Sequence, residues 1–406
     1  EDDGIRFRGR YNQNQEDILN LENYEGTNEN GITVKKLCMF KDEENDLKTT
    51  RIFYHNDKLK IENNAKVLLL VGELEVGKAS LVNIMVNHIF GLDSGECKYR
   101  IRVVCDPDKN NQPDLLTIYC FPKHKSMIYD NSYALITGDN LYSASENHLH
   151  KKMLLLKDFL KKNNGVNELH AICFVVKSDL AQTDYLKYAF ESIFSMFGYD
   201  IKHNIFVLTT FVNPIDEPPV LKALDELKLH YDTLFRFDHR IIKESGCVLN
   251  EHGKQNISDN LTGIFKRINE KKPCDLNLTN VVVQERNRLN TIIEQLQNKI
   301  KTGINTMSEL QRKKTEAPNP ASLNEVKAEL KYLEELVFHK IDEAKRVFKN
   351  LNQLSVSKTN LQTRNGIIEN LIKYEKNNKE VNFEDRIGTL QKIKDRNEYM
   401  ENLLKA

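Results

Sequence analysis

The chain has 406 residues, with 59 lysines and arginines against 59 aspartates and glutamates, so its formal net charge is zero. That balance excludes a globally basic nucleic-acid binder and gives no electrostatic pull toward acidic membranes. A charged fraction of 29%, no tryptophan and a mean hydropathy of −0.55 describe much solvated helix beside a core, in a chain long enough for two or three domains.

Residues 1–63 read as a polar, irregular N-terminal appendage. Within it Arg6, Arg8 and Arg10 alternate with Ile5, Phe7 and Gly9, which suits a strand with one basic, solvated face, and Thr50 to Tyr54 reads as a second short strand. From 64 to 275 strand and helix patterns alternate. Strands are expected at Val67–Val71, Tyr99–Cys105, Leu115–Phe121, Tyr133–Thr137, His170–Lys177, Asn204–Phe211 and Leu234–Phe237, with helices at 78–90, 146–162, 183–197, 218–229 and 255–270. Such alternation gives an α/β domain with a mostly parallel sheet covered on both faces.

From 276 to 406 glycine almost vanishes and helical repeats take over. Leu289, Ile293, Leu296, Ile300, Met307 and Leu310 follow three- and four-residue steps until Pro318 and Pro320 interrupt them. Ser322 and Glu325 form a capping box for a second helix. Its seam runs through Leu323, Val326, Leu330, Leu333, Val337, Ala344, Val347, Leu351 and Leu354, then on to Leu361, Ile368 and Ile372. A shorter, more polar helical segment follows from Phe383 to Leu404. The pattern is that of a coiled-coil extension, either paired between chains or folded back as a helical hairpin at the proline break.

The seven cysteines, Cys38, Cys97, Cys105, Cys120, Cys173, Cys247 and Cys274, form no C-x-x-C pair, and Cys173 lies inside the apolar run Ala171-Ile-Cys-Phe-Val-Val176. Buried free thiols in a reducing, cytoplasmic setting are expected. The sequons at Asn256, Asn260 and Asn277 keep a secreted location open. No apolar run approaches the roughly 18 residues of a transmembrane helix, and no signal peptide is visible. The chain begins at Glu1 without methionine, as a trimmed product would.

The chain is organised around Lys66-Val-Leu-Leu-Leu-Val-Gly-Glu-Leu-Glu-Val-Gly-Lys-Ala-Ser80. An apolar run fit for a buried strand ends at Gly72, and the spacing G-x-x-x-x-G-K closes at Gly77 and Lys78 ahead of an amphipathic helix. Strand, glycine loop, lysine and helix together make a P-loop, whose backbone N–H groups face anionic phosphate. One position departs from the pattern: Ala79 stands where a serine or threonine would hold Mg²⁺.

These residues resemble TRAFAC-class P-loop GTPase domains, nearest the septin-like and immunity-associated (GIMAP-like) branches. Leu81-Val-Asn-Ile-Met-Val-Asn-His-Ile-Phe-Gly91, Ala171-Ile-Cys-Phe-Val-Val-Lys-Ser-Asp179, Ser192-Ile-Phe-Ser-Met-Phe-Gly198 and Thr209-Thr-Phe-Val-Asn-Pro-Ile-Asp-Glu-Pro-Pro-Val-Leu-Lys-Ala-Leu224 are similar to segments of an animal branch of that class. Leu276-Asn-Leu-Thr-Asn-Val-Val-Val-Gln-Glu-Arg286 resembles the start of its helical extension. The resemblance spans about 64–315 and implies a G-domain fold, with GTP or GDP and Mg²⁺ as the class ligands.

Against that implied pattern the nucleotide positions are altered. Lys78, Gly72 and Gly77 remain, but Ala79 offers no oxygen to a metal, and the neighbouring Ser80 substitutes only through a shifted backbone. Glu73 and Glu75 add two carboxylates to the loop; they repel phosphate if they face it and are tolerated if they point to solvent. Where the class has D-x-x-G, this chain has Tyr133-Ala-Leu-Ile-Thr-Gly-Asp-Asn140, with Ile136 in the place of the aspartate and Asp139 displaced into the following loop. Between Leu92 and Ser132 the sole threonine, Thr117, falls in an expected strand and not on a mobile loop. The guanine-reading carboxylate is replaced by Asn213, which forfeits a charge-assisted bond worth about 1.5–3 kcal/mol. The later base-contacting segment reads Arg236-Phe-Asp-His239, and Lys177-Ser-Asp179, which looks like a guanine signature, ends the preceding strand.

No zinc-protease, Cys/His or nucleophile-elbow motif is present, and His148 and His150 fall on different helix faces. The expected site is therefore a vestigial or weak nucleotide site built from Gly72, Gly77, Lys78, Ala79, Ser80, Asn213, Asp238 and His239, with no catalytic residue and no metal ligand. The expected function is that of a pseudo-GTPase, an interaction or scaffolding module that self-associates or binds a helical protein partner, with no bound cofactor. Two alternatives stay open: a slow GTPase switch using Ser80 and Asp139 as displaced metal supports, and a structural subunit of a larger assembly.

Overall fold

The computed structural model describes residues 21–27, 33–37, 39–41, 49–54, 64–73, 75–92, 99–103, 116–137, 166–180, 196–212, 217–227, 230–238, 251–316 and 320–355, with a few single positions besides. The chain forms two compact units, one of Glu1–Ser143, Lys151–Ile193 and Asp200–Asn277, the other of Ala144–His150, Phe194–Tyr199 and Leu278–Ala406.

The first unit is mixed α/β. Its strands are β1 (Leu21–Thr27), β2 (Thr33–Leu37), β3 (Met39–Lys41), β4 (Thr49–Tyr54), β5 (Lys66–Gly72), β6 (Tyr99–Arg102), β7 (Leu116–Phe121), β8 (Tyr133–Thr137), β9 (Glu168–Leu169), β10 (Ala171–Lys177), β11 (Ile205–Val212), β12 (Thr233–Asp238) and β13 (Cys274–Asp275). Its helices are α1 (Lys78–Ile89), α2 (Pro219–Leu227) and α3 (Glu251–Glu270). The main sheet has eight strands in the order β12-β11-β10-β5-β8-β7-β4-β3. The run from β12 to β8 is parallel, β7 is antiparallel to β8, β4 runs parallel to β7, and β3 closes the edge antiparallel to β4.

The central strands are apolar along their length because they are covered on both faces. Leu68 and Leu70 of β5, Ala171, Cys173 and Val175 of β10, and Phe206 and Leu208 of β11 join one core with Leu81, Val82, Met85 and Ile89 of α1 and Leu261, Ile264 and Phe265 of α3. Each such aliphatic or aromatic side chain contributes about 1.5–3 kcal/mol on leaving water. His88 belongs to this core as a satisfied aromatic: its ring stacks on Phe265 and its Nε2 lies 2.8 Å from the Tyr129 hydroxyl.

Two expectations change. The N-terminal segment is not wholly irregular, since β1 to β4 come from it. Their pattern is hard to read because residues such as the adjacent Lys35 and Lys36 in β2 break the apolar–polar alternation. The stretch read as a strand at Tyr99–Cys105 does form β6, but in a separate three-stranded sheet ordered β1-β2-β6. Amide side chains on α1 hold it there. Asn87 Nδ2 donates to the Ile101 carbonyl at 2.7 Å and its Oδ1 accepts from the Ile101 N–H at 2.8 Å, while Asn83 Oδ1 accepts from the Val103 N–H at 2.8 Å.

Asn256 and Asn260 lie within α3, where Asn260 Nδ2 donates to the Arg236 carbonyl at 2.7 Å. Cys120, Cys173 and Cys274 are buried free thiols, and burial pushes the Cys173 thiol up to about 12. The expected strand at Arg6, Arg8 and Arg10, the helices at 146–162 with His148 and His150, and Cys38, Cys97, Cys105 and Cys247 lie outside the described residues. The helix expected at 183–197 is described at scattered positions alone.

The second unit is helical, with α4 (Asn277–Glu316) and α5 (Pro320–Leu354). The second helix starts at Pro320, ahead of the expected cap at Ser322, because proline's fixed φ and missing N–H suit the first helical turn. Arg288 of α4 and Glu343 of α5 form an ion pair at 3.2 Å. Gly198 donates to the Thr279 hydroxyl at 3.1 Å and makes a β-bridge with Ser355. The start of α4 and the end of α5 therefore meet, and the two helices run antiparallel within one chain. Of the expected seam, Leu289, Ala344, Val347 and Leu351 are buried. Leu361, Ile368, Ile372 and most of Phe383–Leu404 lie outside the described residues.

Candidate functional site

The carboxyl ends of β5, β8, β10, β11 and β12 point the same way, and the loop from Gly72 to Lys78 opens at that edge. In open α/β sheets this is where ligands bind. Gly72 is fixed by packing: a Cβ there would sit 2.4 Å from the Val175 carbonyl oxygen of β10 and 3.2 Å from Val76 Cγ2. Gly77, with φ 92°, turns the chain into α1 as its N-cap, and no side chain caps the helix. The first-turn N–H groups of α1 thus have no side-chain acceptor at the cap, the arrangement that favours an anion.

Val76 is the inward anchor of the loop, 3% exposed, and its carbonyl accepts a 2.8 Å bond from the hydroxyl of Thr210 on β11. Thr210 is fully buried and also reaches the Val176 carbonyl at 3.2 Å. One hydroxyl so ties the glycine loop to β10 and β11. Glu75 pays the local conformational cost, with φ 59° in the left-handed region that disfavours side chains. It points outward and is exposed.

Lys78 is buried, 3% exposed, and its ammonium is turned onto the loop's own backbone, donating to the carbonyls of Gly72, at 3.1 Å, and Glu73. Ala79 is exposed and Ser80 half-buried. The Glu73 carboxyl is raised above the ordinary carboxylate range, first by burial, against the lowering influence of the Lys177 and Lys78 ammonium groups. Glu73 and Lys177 also border a cavity of about 60 Å³ behind the loop, otherwise lined largely by apolar side chains such as Phe174, Leu186 and Ile193.

At the end of β8, Ile136 is fully buried opposite Leu69, and Thr137 pairs with Leu70. Thr117 lies in β7 opposite Thr137. On β11, Phe211 adopts φ 57°. Its carbonyl accepts a 2.6 Å bond from the Ser178 hydroxyl, and Lys177 Nζ lies 5.8 Å from its ring centroid. Lys177 ends β10, and Asp238 ends β12 with Val212 as its cross-strand neighbour. Asn213, His239, Gly138 and Asp139 lie outside the described residues.

The structure thus gathers Gly72, Gly77, Lys78, Ala79 and Ser80 in one loop and helix start. It adds Thr210, which the sequence left unassigned, and gives Lys177 and Ser178, read from sequence as a guanine-like signature ending a strand, contacts with Phe211. Thr210 stands in the very segment read for Asn213, and its signal was a buried hydroxyl residue late in an apolar strand, which needs an acceptor. Among the described residues no three histidine, cysteine or acidic side chains gather as a metal site, and no helix is long and apolar enough to cross a membrane.

No protein-family model matches the chain, and no curated protein matches it. Among solved structures it is similar to the signal recognition particle receptor SRb-GTP/SRX complex from Chaetomium thermophilum, at 14% identity and a TM-score of 0.29, covering 49% of this chain and 99% of that chain. The loop's own geometry carries the functional reading.

Proposed function

We propose that the protein is a GTPase-like P-loop protein whose nucleotide site is degenerate, and that it works as an interaction or scaffolding module through its α/β unit and helical arm. The observation that carries this reading is the pair Ala79 and Ile136. They occupy the two positions from which the resembled class supports Mg²⁺, and neither side chain has a donor oxygen. Ile136 is moreover fully buried, so the position serves the core. Divalent metal at the family positions does not fit these residues. The segment between α1 and β7 points the same way. Its part in β6 is fastened to α1 by Asn83 and Asn87, where a γ-phosphate sensor has to be free to close.

The helical arm supplies the partner surface. Val281 of α4 is 41% exposed and Tyr332 of α5 is 60% exposed, large apolar groups open to solvent on the two helices. Self-association or a helical partner is the interaction this composition suits. Sedimentation velocity of the full chain across a range of concentrations tests it. Concentration-dependent assembly, weakened by Tyr332→Glu, is expected; a monomer at every concentration that also binds GTP and Mg²⁺ would overturn it in favour of the switch.

A further inference from the structure

At the end of β11 a bulky residue stands where the backbone favours glycine. The paired residues run from Arg236 to Asp238 on β12, a step of two, but from Thr209 to Val212 on β11, a step of three. β11 therefore carries one extra residue there, a bulge, and Phe211 within it takes φ 57°. Left-handed bulges use glycine, and a bulky side chain in that region is an outlier. Such strain persists only where the surroundings over-determine it. The ring is half-buried against the core, with Lys177 Nζ 5.8 Å from its centroid.

Ser178, itself buried, grips that strained turn at two points. Its N–H donates to the Thr210 carbonyl at 2.9 Å, and its hydroxyl donates to the Phe211 carbonyl at 2.6 Å. Its own carbonyl accepts the N–H of Val220, in the first turn of α2, at 3.2 Å. Thr210 in turn donates its hydroxyl to the Val76 carbonyl of the glycine loop at 2.8 Å. Hydrogen bonds thus run without a break from Val76 through Thr210 and Ser178 to Val220. We infer that Ser178 and Phe211 form a two-state latch between the glycine loop and α2. With the Ser178 hydroxyl on the Phe211 carbonyl, the left-handed turn is held, and the glycine loop, the end of β11 and the start of α2 stay tied together. With that bond open, Phe211 relaxes to negative φ by a flip of the Thr210–Phe211 peptide. The flip carries the Thr210 carbonyl off the Ser178 N–H and frees the start of α2. The device couples the two elements whatever the glycine loop binds.

Amide hydrogen exchange on the full chain tests it. In the wild type the Ser178 and Val220 amides are expected to share one opening, with equal protection, and to exchange more readily than the Cys173 amide in the middle of β10. Ser178→Ala is expected to speed both amides by about tenfold, the population ratio that the cost of one left-handed side chain corresponds to. The gain is expected to disappear when Ser178→Ala is combined with Phe211→Gly, because glycine holds a left-handed φ without a latch. Phe211→Asn, which also tolerates that region, repeats the comparison with a side chain in place. An equal gain from Ser178→Ala in every background would overturn the inference and make the serine a plain anchor, as would no gain in any. Unequal protection of the two amides in the wild type also overturns it, and that arm holds even if a variant fails to fold.

Discussion

The hydroxyl of Thr210 donates to the carbonyl of Val76 at 2.8 Å, joining the end of β11 to the middle of the glycine loop. Both residues are buried, so the carbonyl has no water to fall back on. Thr210→Val keeps the volume and removes the donor. It is expected to destabilise the protein by about 1–3 kcal/mol, the cost of leaving a buried acceptor unsatisfied. Urea denaturation measures the loss, and hydrogen exchange should show faster opening of the amides of Val76 and Gly77.

Glu75 gives the opposite sign. Its φ of 59° is left-handed, and its side chain is exposed. Glu75→Gly is expected to stabilise the fold by about 0.5–1 kcal/mol, the relief of left-handed strain partly offset by the entropy of glycine in the unfolded chain. A rise in thermal midpoint checks it.

Gly72→Ala tests the packing of the loop against β10. The added Cβ would sit 2.4 Å from the Val175 oxygen, which is backbone and cannot swing aside. A loss of about 1–3 kcal/mol or more is expected, as for other overpacked sites. An unchanged midpoint would mean that β5 and β10 are not in this register.

His170 gives the fold a pH dependence. Its Nδ1 accepts the Val67 N–H at 3.2 Å, and burial, with the Lys66 ammonium adding to it, depresses its pKa to about 4. The folded protein keeps the ring neutral while the unfolded chain takes up a proton below its ordinary value of about 6.5. Between those values the unfolded state binds more protons, so stability falls as pH drops from about 6.5 toward 4 and is flat in this respect above. His170→Gln, which retains an acceptor, is expected to flatten the decline of the thermal midpoint across that window.

The strands of the central sheet were readable because burial on both faces writes itself as continuous apolar runs. The strand expected at Val67–Val71 is Lys66–Gly72, and that expected at Tyr133–Thr137 has those bounds. The strands β1 to β4 were harder, because the adjacent lysines of Thr33-Val-Lys-Lys-Leu37 mask the alternation. In the loop, spacing located Gly72, Gly77 and Lys78, but no pattern in the sequence says that Glu75 takes a left-handed φ and stays exposed. The partner of Val76 was equally hidden: Thr210 reaches it because β5 and β11 both pair with β10, strands that lie far apart in the chain. Sequence periodicity reports a residue's face; a partner across the sheet is set by topology.

The most direct test of the central claim is a calorimetric titration of the full chain with GTP, with and without Mg²⁺, with GDP and ATP in parallel. The account predicts no magnesium-dependent binding of GTP in the micromolar range, since Ala79 and Ile136 offer the metal no oxygen. Micromolar GTP binding that requires Mg²⁺ and disappears in Lys78→Ala would contradict it and make the protein a nucleotide switch.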